Sequence, residues 1–217
     1  MTGNALHCHS SPVTRHEMRD TFLTISTPSE GLYKEKGSKF LAFAIPISSS
    51  DEIKEALAEK RKEFHDARHV CFAYILGNEG NETRANDDGE PSGTAGRPIL
   101  GILQSNNLTN TLLIVVRYFG GTKLGTSGLI NAYKEASADA IANNIIVEKT
   151  VDETVTVRFE YPFLNDVMRV VKEEEPAVLR QHFDTDCFIT LRIRRRDFPI
   201  LLSRLGKIEG VSIVEEE

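Results

Sequence analysis

The stretch Thr111–Tyr118 constrains the fold of this chain more than any other segment. Its run Leu112-Leu113-Ile114-Val115-Val116 is continuous and rich in β-branched residues. That pattern predicts a strand buried on both faces. A glycine-rich stretch follows at once: Arg117-Tyr118-Phe119-Gly120-Gly121-Thr122-Lys123-Leu124-Gly125-Thr126-Ser127-Gly128-Leu129. A helix is predicted over residues 127–143, with Leu129, Ile130, Tyr133, Ala136, Ala140 and Ile141 on its inner face.

Other segments fill in around this unit. Residues 22–26, 32–36 and 40–47 read as strands, with a turn at 28–31. Ser48-Ser49-Ser50-Asp51 offers N-caps, and Ile53 and Leu57 lead an amphipathic helix to about Phe64. Residues 70–76 form the next strand. Residues 77–97 show no apolar periodicity, and an irregular connection of that length is usually functional or disordered. A short helix is predicted over 98–104 and a short strand over 145–148. The tail reads as strand 155–161, helix 162–175, strands 178–183 and 188–193 around Asp184-Thr185-Asp186, helix 198–205 and strand 211–214. That order is βαββαβ. The chain is therefore predicted to be α+β, with a disordered extension over 1–19, one domain over 20–149 and a second over 150–217.

Composition removes several function classes. The net charge of −6 over 217 residues opposes nonspecific nucleic-acid binding by the molecule as a whole, although a local basic face is still open to it. Cys8, Cys71 and Cys187 are far apart and odd in number, with no CxxC pair, so neither a zinc site nor a disulfide framework is indicated. A reducing cytoplasm fits this usage. No apolar run reaches the length of a membrane span, and no metal or cofactor is expected. His7, Cys8 and His9 read as part of a floppy terminus rather than as metal ligands.

Four groups of residues carry candidate chemistry. The glycine loop before the long helix is an anion-site candidate: Arg117, Lys123, Gly125, Thr126, Ser127 and Gly128 combine cations, hydroxyls and unpaired amides at a helix start. It matches neither the Walker loop nor GxGxxG; tight turn packing is the alternative role for its glycines. The second stretch runs Asp87-Asp88-Gly89-Glu90-Pro91-Ser92-Gly93-Thr94-Ala95-Gly96-Arg97. Asp87, Asp88 and Glu90, with Ser92, Thr94 and Arg97, suit loop organisation better than catalysis or Mg²⁺ binding. Arg97 and Arg117 are its expected ion-pair partners. Asp66 and His69 are possible accessories, and Cys71 shares the parity of His69 and reads as a buried thiol. Arg192 and Arg194, in the basic cluster with Arg195 and Arg196, would face outward from a strand, either solvated or touching RNA.

Three segments, Asp66-Ala67-Arg68-His69, residues 87–100 and residues 115–133, resemble the bacterial YigZ proteins. These are similar to the N-terminal part of the eukaryotic IMPACT translational regulators. The resemblance extends over nearly all of residues 20–217. It implies an N-terminal domain of the ribosomal-protein-S5 domain-2-like kind. It also implies a ferredoxin-like C-terminal domain similar to the last domain of elongation factor G. Asn131 and Thr122 depart from the family pattern, and the former removes a cation beside the helix. Eukaryotic members regulate translation under stress through an additional domain not found in these 217 residues. The expected function is a non-catalytic binding protein linked to translation, in contact with RNA, the ribosome or a translation factor. The alternative is an enzyme or sensor for a phosphorylated small molecule or nucleotide.

Overall fold

The apolar run becomes the central strand of a five-stranded sheet in a computed structural model that describes residues 20–214. The expected extension over 1–19, with His7, Cys8 and His9, lies outside the described residues. The strands of this sheet are β2 (Ser29–Glu35), β3 (Ser38–Pro46), β4 (His69–Leu76), β5 (Glu82–Asn86) and β6 (Thr111–Tyr118), in the order β2-β3-β6-β4-β5. Every neighbouring pair is antiparallel. Helix α1 (Ser50–Glu63) covers one face over Phe43, Val70, Phe72, Leu112, Ile114 and Val116. Helices α2 (Gly96–Ser105) and α3 (Gly125–Ala142) cover the other, over Phe40, Ala42, Cys71, Leu113 and Val115. Strand β6 lies between two cores, so both parities of its sequence are apolar.

Two departures from the sequence reading have plain causes. Residues 77–97 are not wholly irregular, because Glu82–Asn86 pairs with β4 as an edge strand. Four of its five residues are exposed, so no buried face leaves an apolar alternation to read. Helix α3 starts at Gly125, two residues before the predicted start, because Gly125 and Thr126 form its first turn without an apolar side chain.

A separate pair, β1 (Thr21–Ile25) and β7 (Ile146–Thr150), is antiparallel and closes over the α2–α3 side. The tail forms a third sheet with its own core. Its elements are β8 (Asp152–Glu160), a 3-10 turn, α4 (Leu164–Glu174), β9 (Ala177–His182), β10 (Asp186–Arg194), α5 (Phe198–Leu205) and β11 (Ser212–Val214). The sheet order is β11-β8-β10-β9, antiparallel throughout. Val155, Val157, Ile189 and Leu191 face α4 and α5. The chain is thus a mixed α/β protein with several sheets.

The basic cluster at the end of β10 is largely engaged in ion pairs rather than free. Arg195 bridges Glu79 and Glu153 at 2.7 Å each. Its backbone N–H donates to Val151 O at 2.8 Å, and Val151 N–H donates to Asp20 O at 2.8 Å. Arg194 lies 2.6 Å from the Asp20 carboxylate, and Arg192 is 3.8 Å from Asp152. Arg192 and Arg194 leave the face of β10 opposite Leu191 and Ile193, as expected, with Arg192 exposed and Arg194 half-buried, but each has a carboxylate beside it. The segment straddles the junction of the sheets, where carboxylates from three other segments meet it.

Two glycines give opposite outcomes on one test. A methyl at Gly31 would stand 2.3 Å from the Ala140 backbone nitrogen of α3, whereas one at Gly101 meets nothing within 4 Å. Gly31→Ala should therefore destabilise the protein by about 1–3 kcal/mol or more, as overpacking does. Gly101→Ala, inside α2, should stabilise it by about 0.5–1 kcal/mol. Urea midpoints shifting in opposite directions would bear this out.

Candidate functional site

At the end of the central sheet a row of cross-strand partners, Phe40, Arg117 and His69, leaves the apolar core and meets the 87–97 loop. Arg117 is buried, with Nη1 donating to Glu90 Oε1 at 2.5 Å. Its guanidinium carbon lies 5.5 Å from the Phe40 ring centre and 5.7 Å from that of Phe119. Two rings thus flank the cation where solvent would otherwise be. Tyr133, from the inner face of α3, donates its hydroxyl to the same Glu90 oxygen at 2.9 Å. The fully buried Cys71 thiol completes the cluster, with Sγ 3.0 Å from Asp87 O and 3.3 Å from the Tyr133 hydroxyl.

Burial above all, and then the charges of Glu90, Asp88 and Asp87, push the Cys71 thiol up to about 12, against the lowering pull of its hydrogen bond to Tyr133. Burial likewise raises the Tyr133 phenol far above its ordinary range, with help from Cys71 and Glu90. Full burial and the raised thiol agree with the reading of Cys71 as a buried structural thiol.

His69 sits at the edge of this cluster. Its Nδ1 is 2.8 Å from the Asp88 carbonyl oxygen. A carbonyl only accepts, so Nδ1 carries the proton and the neutral ring keeps its Nε2 lone pair. That Nε2 is 3.9 Å from Glu90 Oε1. His69 is half-buried.

The acidic residues have separate structural tasks. Asp87 accepts from Gly93 N–H at 2.8 Å and, through its other oxygen, from Ala95 at 3.0 Å and Gly96 at 2.8 Å. It thereby caps α2 from nine positions upstream, where Ala95 has no side chain to do so. Burial alone would raise this carboxyl, but the three amides and the charge of Arg97 hold it below its ordinary value. Asp88 takes up a left-handed backbone, φ 43°, a conformation aspartate tolerates better than most residues. Its carboxylate accepts from Val70 N–H at 2.7 Å and from Arg61 at 2.8 Å. Thr94 is buried and donates to Pro91 O at 2.6 Å. Asp66 accepts from the Tyr118 hydroxyl at 2.7 Å. Ser92 and Arg97 are exposed.

The glycine loop keeps a different character. Lys123, Gly125, Thr126 and Ser127 are exposed and Gly128 is half-buried. Leu124 precedes α3 with no side-chain cap, and Gly125 has φ 73° with open space where a Cβ would lie. The expected grouping must be corrected at Arg117, whose charge is spent on Glu90 beneath the surface and is not presented beside Lys123. Sequence reasoning also missed Arg61 and the link from Tyr133 to Glu90. Arg61 looks like any exposed helix cation, and Tyr133 looks like an ordinary core residue with its polar tip hidden. Among the described residues, no helix is long and apolar enough to cross a membrane.

A family model, the Impact N-terminal domain, matches residues 36–141. The chain is 31% identical over 166 residues to "IMPACT family member YvyE" of Bacillus subtilis (strain 168), covering 76% of each chain. It is 29% identical over 176 residues to "IMPACT family member YigZ" of Escherichia coli (strain K12), covering 80% of this chain and 85% of that one. A solved structure described as a hypothetical protein aligns with TM-score 0.70 and 25% identity over 91% of this chain and 99% of its own. The chain belongs to the IMPACT family.

Two outcomes test the internal role of the charged groups. Arg117→Ala leaves the Glu90 charge buried without its cation and should cost about 3–5 kcal/mol, while the double variant Glu90→Gln, Arg117→Met should cost less. Asp87→Ala should cost about 1.5–3 kcal/mol at neutral pH, through bonds to a charged acceptor. The folded Asp87 value is depressed, so its contribution is present above the ordinary aspartate value of about 3.9. It is lost as pH falls through the folded value, where wild type and variant should converge in denaturant titrations.

Proposed function

We propose that this chain is a non-catalytic binding protein linked to translation, and that the exposed start of α3 is part of its contact surface on the ribosome. One observation carries this reading. The carboxylates of the 87–97 loop are consumed in holding the fold, while Arg97 stays exposed and the adjoining loop leaves Lys123, Thr126 and Ser127 exposed at a helix start that no side chain caps. Internalised acids and an open set of donors suit holding an anionic partner better than moving a proton. The translation link is supported by the family, whose eukaryotic members the resemblance identifies as translational regulators.

We also infer the finer architecture. Residues 20–149 form the S5 domain-2-like unit and residues 150–217 the ferredoxin-like one. The tail's βαββαβ order and its strand order β11-β8-β10-β9 support the second assignment. A pairing of two translation-factor-like units supports the same function only by analogy of fold.

The second reading, a sensor or enzyme for a phosphorylated small molecule, is favoured by His69, which is half-buried beside Glu90 and keeps Nε2 unprotonated when neutral. Co-sedimentation with ribosomes at low and moderate salt tests the first reading. Wild type should pellet with ribosomes, and Lys123→Glu should pellet less while keeping its melting temperature, since an exposed charge contributes little to stability. Failure of wild type to pellet overturns the ribosome reading. Equal pelleting of both removes the α3 loop from the contact. Saturable binding of nucleotides or phosphate by a wild type that ignores ribosomes moves the function to the second reading.

A further inference from the structure

The third sheet has one face packed on α4 and α5, and among the described residues no other helix or strand packs on the opposite face. On that open face, cross-strand partners form rows. The first row is Ser212, Arg158, Phe188 and His182; the second is Val214, Thr156, Thr190 and Arg180; the third holds Thr154, Arg192 and Ala177. Rows lie about 7 Å apart along the strands. The buried hydroxyls of Thr156 and Thr190, 2.8 Å apart, form the floor.

Three observations point to an occupant. The His182 and Phe188 rings stack, with centres 5.6 Å apart and planes 27° from parallel, and His182 is exposed. One arginine stands in each row. Among the described residues, Arg158 and Arg180 have no carboxylate partner, and Arg192 is half exposed with Asp152 at 3.8 Å. Beside the first row lies a groove of about 600 Å³, whose lining includes Arg158, His182 and Phe188 and the three acidic residues Glu160, Asp184 and Asp186. Glu160 and Asp186 face each other across β8 and β10 at its far end.

We infer that this open sheet face binds single-stranded RNA, with a base on the His182–Phe188 stack and the phosphates along Arg158, Arg180 and Arg192. The inference rests on the translation-linked reading for its choice of RNA. The surface itself is a stacking platform with cations in adjacent rows, the combination that single strands require. The opposed carboxylates repel phosphate from one end of the groove. They can accept from an exocyclic amino group, which cytosine carries and uracil does not. The same carboxylates disfavour an acidic peptide, and the row of arginines disfavours a basic one.

The experiment is fluorescence anisotropy on the full chain with labelled ten-residue oligo(C), oligo(U), the DNA counterpart of oligo(C) and an RNA duplex. Wild type should bind oligo(C) more tightly than oligo(U) and the duplex, and the DNA arm reports whether the sugar matters. Arg158→Ala, Arg180→Ala together should weaken binding at least about tenfold. They should also reduce the salt slope by roughly 1.4, about 0.7 for each phosphate that is no longer neutralised. Phe188→Ala should weaken binding about tenfold with the salt slope unchanged, since stacking releases no counterions. Lys62→Glu, an exposed position on α1 of the other unit, should bind as wild type does. Circular dichroism of each variant separates weakened binding from unfolding. No binding by wild type, equal binding of oligo(C) and oligo(U), or an unchanged slope in the double variant overturns the inference. Wild type that pellets with ribosomes but ignores these oligonucleotides sinks this platform and leaves the translation-linked reading standing. Oligonucleotide binding without ribosome pelleting does the reverse.

Discussion

The buried contact between Glu90 and Arg117 is the constraint on which the rest of the N-terminal structure depends. It joins three elements that are distant in sequence: the 87–97 loop, the end of β6 and, through Tyr133, the middle of α3. Taking both charges out of water costs several kcal/mol each before their attraction is counted. That cost is partly offset because Glu90 Oε1 accepts from two donors and the Phe40 and Phe119 ring centres lie 5.5 and 5.7 Å from the guanidinium carbon, while Arg117 Nε has no hydrogen-bond partner among the described residues. The loop cannot be displaced without leaving one of these charges bare. A long polar connection that would ordinarily be mobile is therefore held at the end of the sheet.

The same loop shows how polar residues that look chemical become architectural. Asp87 substitutes for the missing cap of α2, and Asp88 clamps β4 to α1 through Val70 and Arg61. Each carboxylate serves amides or a guanidinium that the fold itself needs satisfied. What remains presentable is the next loop, where Gly125 takes a left-handed turn and the helix begins without a side-chain cap. Rigidity in one glycine stretch thus supports exposure in the other.

Much of this organisation was legible in the sequence, for a physical reason. Strands β4 and β6 are buried on both faces and leave continuous apolar runs, and helix α3 buries enough side chains to leave a helical period in the residue order. The βαββαβ order of the tail was readable on the same grounds. Strand β5 was not, because an exposed edge imposes no period. The site was legible in location but not in assignment. Glycines and acids marked the loops, and the parity of His69 and Cys71 placed them together. The pairing of Arg117 with the acidic loop was expected, but nothing in the order of residues selects Glu90 over Asp87 and Asp88 or says that Tyr133 brings its hydroxyl to the same oxygen. Ion-pair partners are fixed by tertiary geometry, and the sequence records only that both charges exist.

That limit applies with most force to the arginines. With a net charge of −6, the chain has more carboxylates than cations, so the expected fate of an arginine is to be paired. Arg117, Arg194, Arg195 and Arg204 follow this course, the last with Glu173 and Glu174. Arg195 ties Glu79 to Glu153 and so fastens the tail's sheet to the first unit. The dense cluster that looks most like a nucleic-acid site in the sequence is therefore largely a junction between sheets. Arg158 and Arg180 are inconspicuous in the sequence because no other cation adjoins them. Strand pairing sets them one row apart, on the face where His182 and Phe188 stack. In an acidic protein, cations left unpaired on one face create a local field that the net charge conceals. Spatial register, rather than density along the chain, decides where such a field arises.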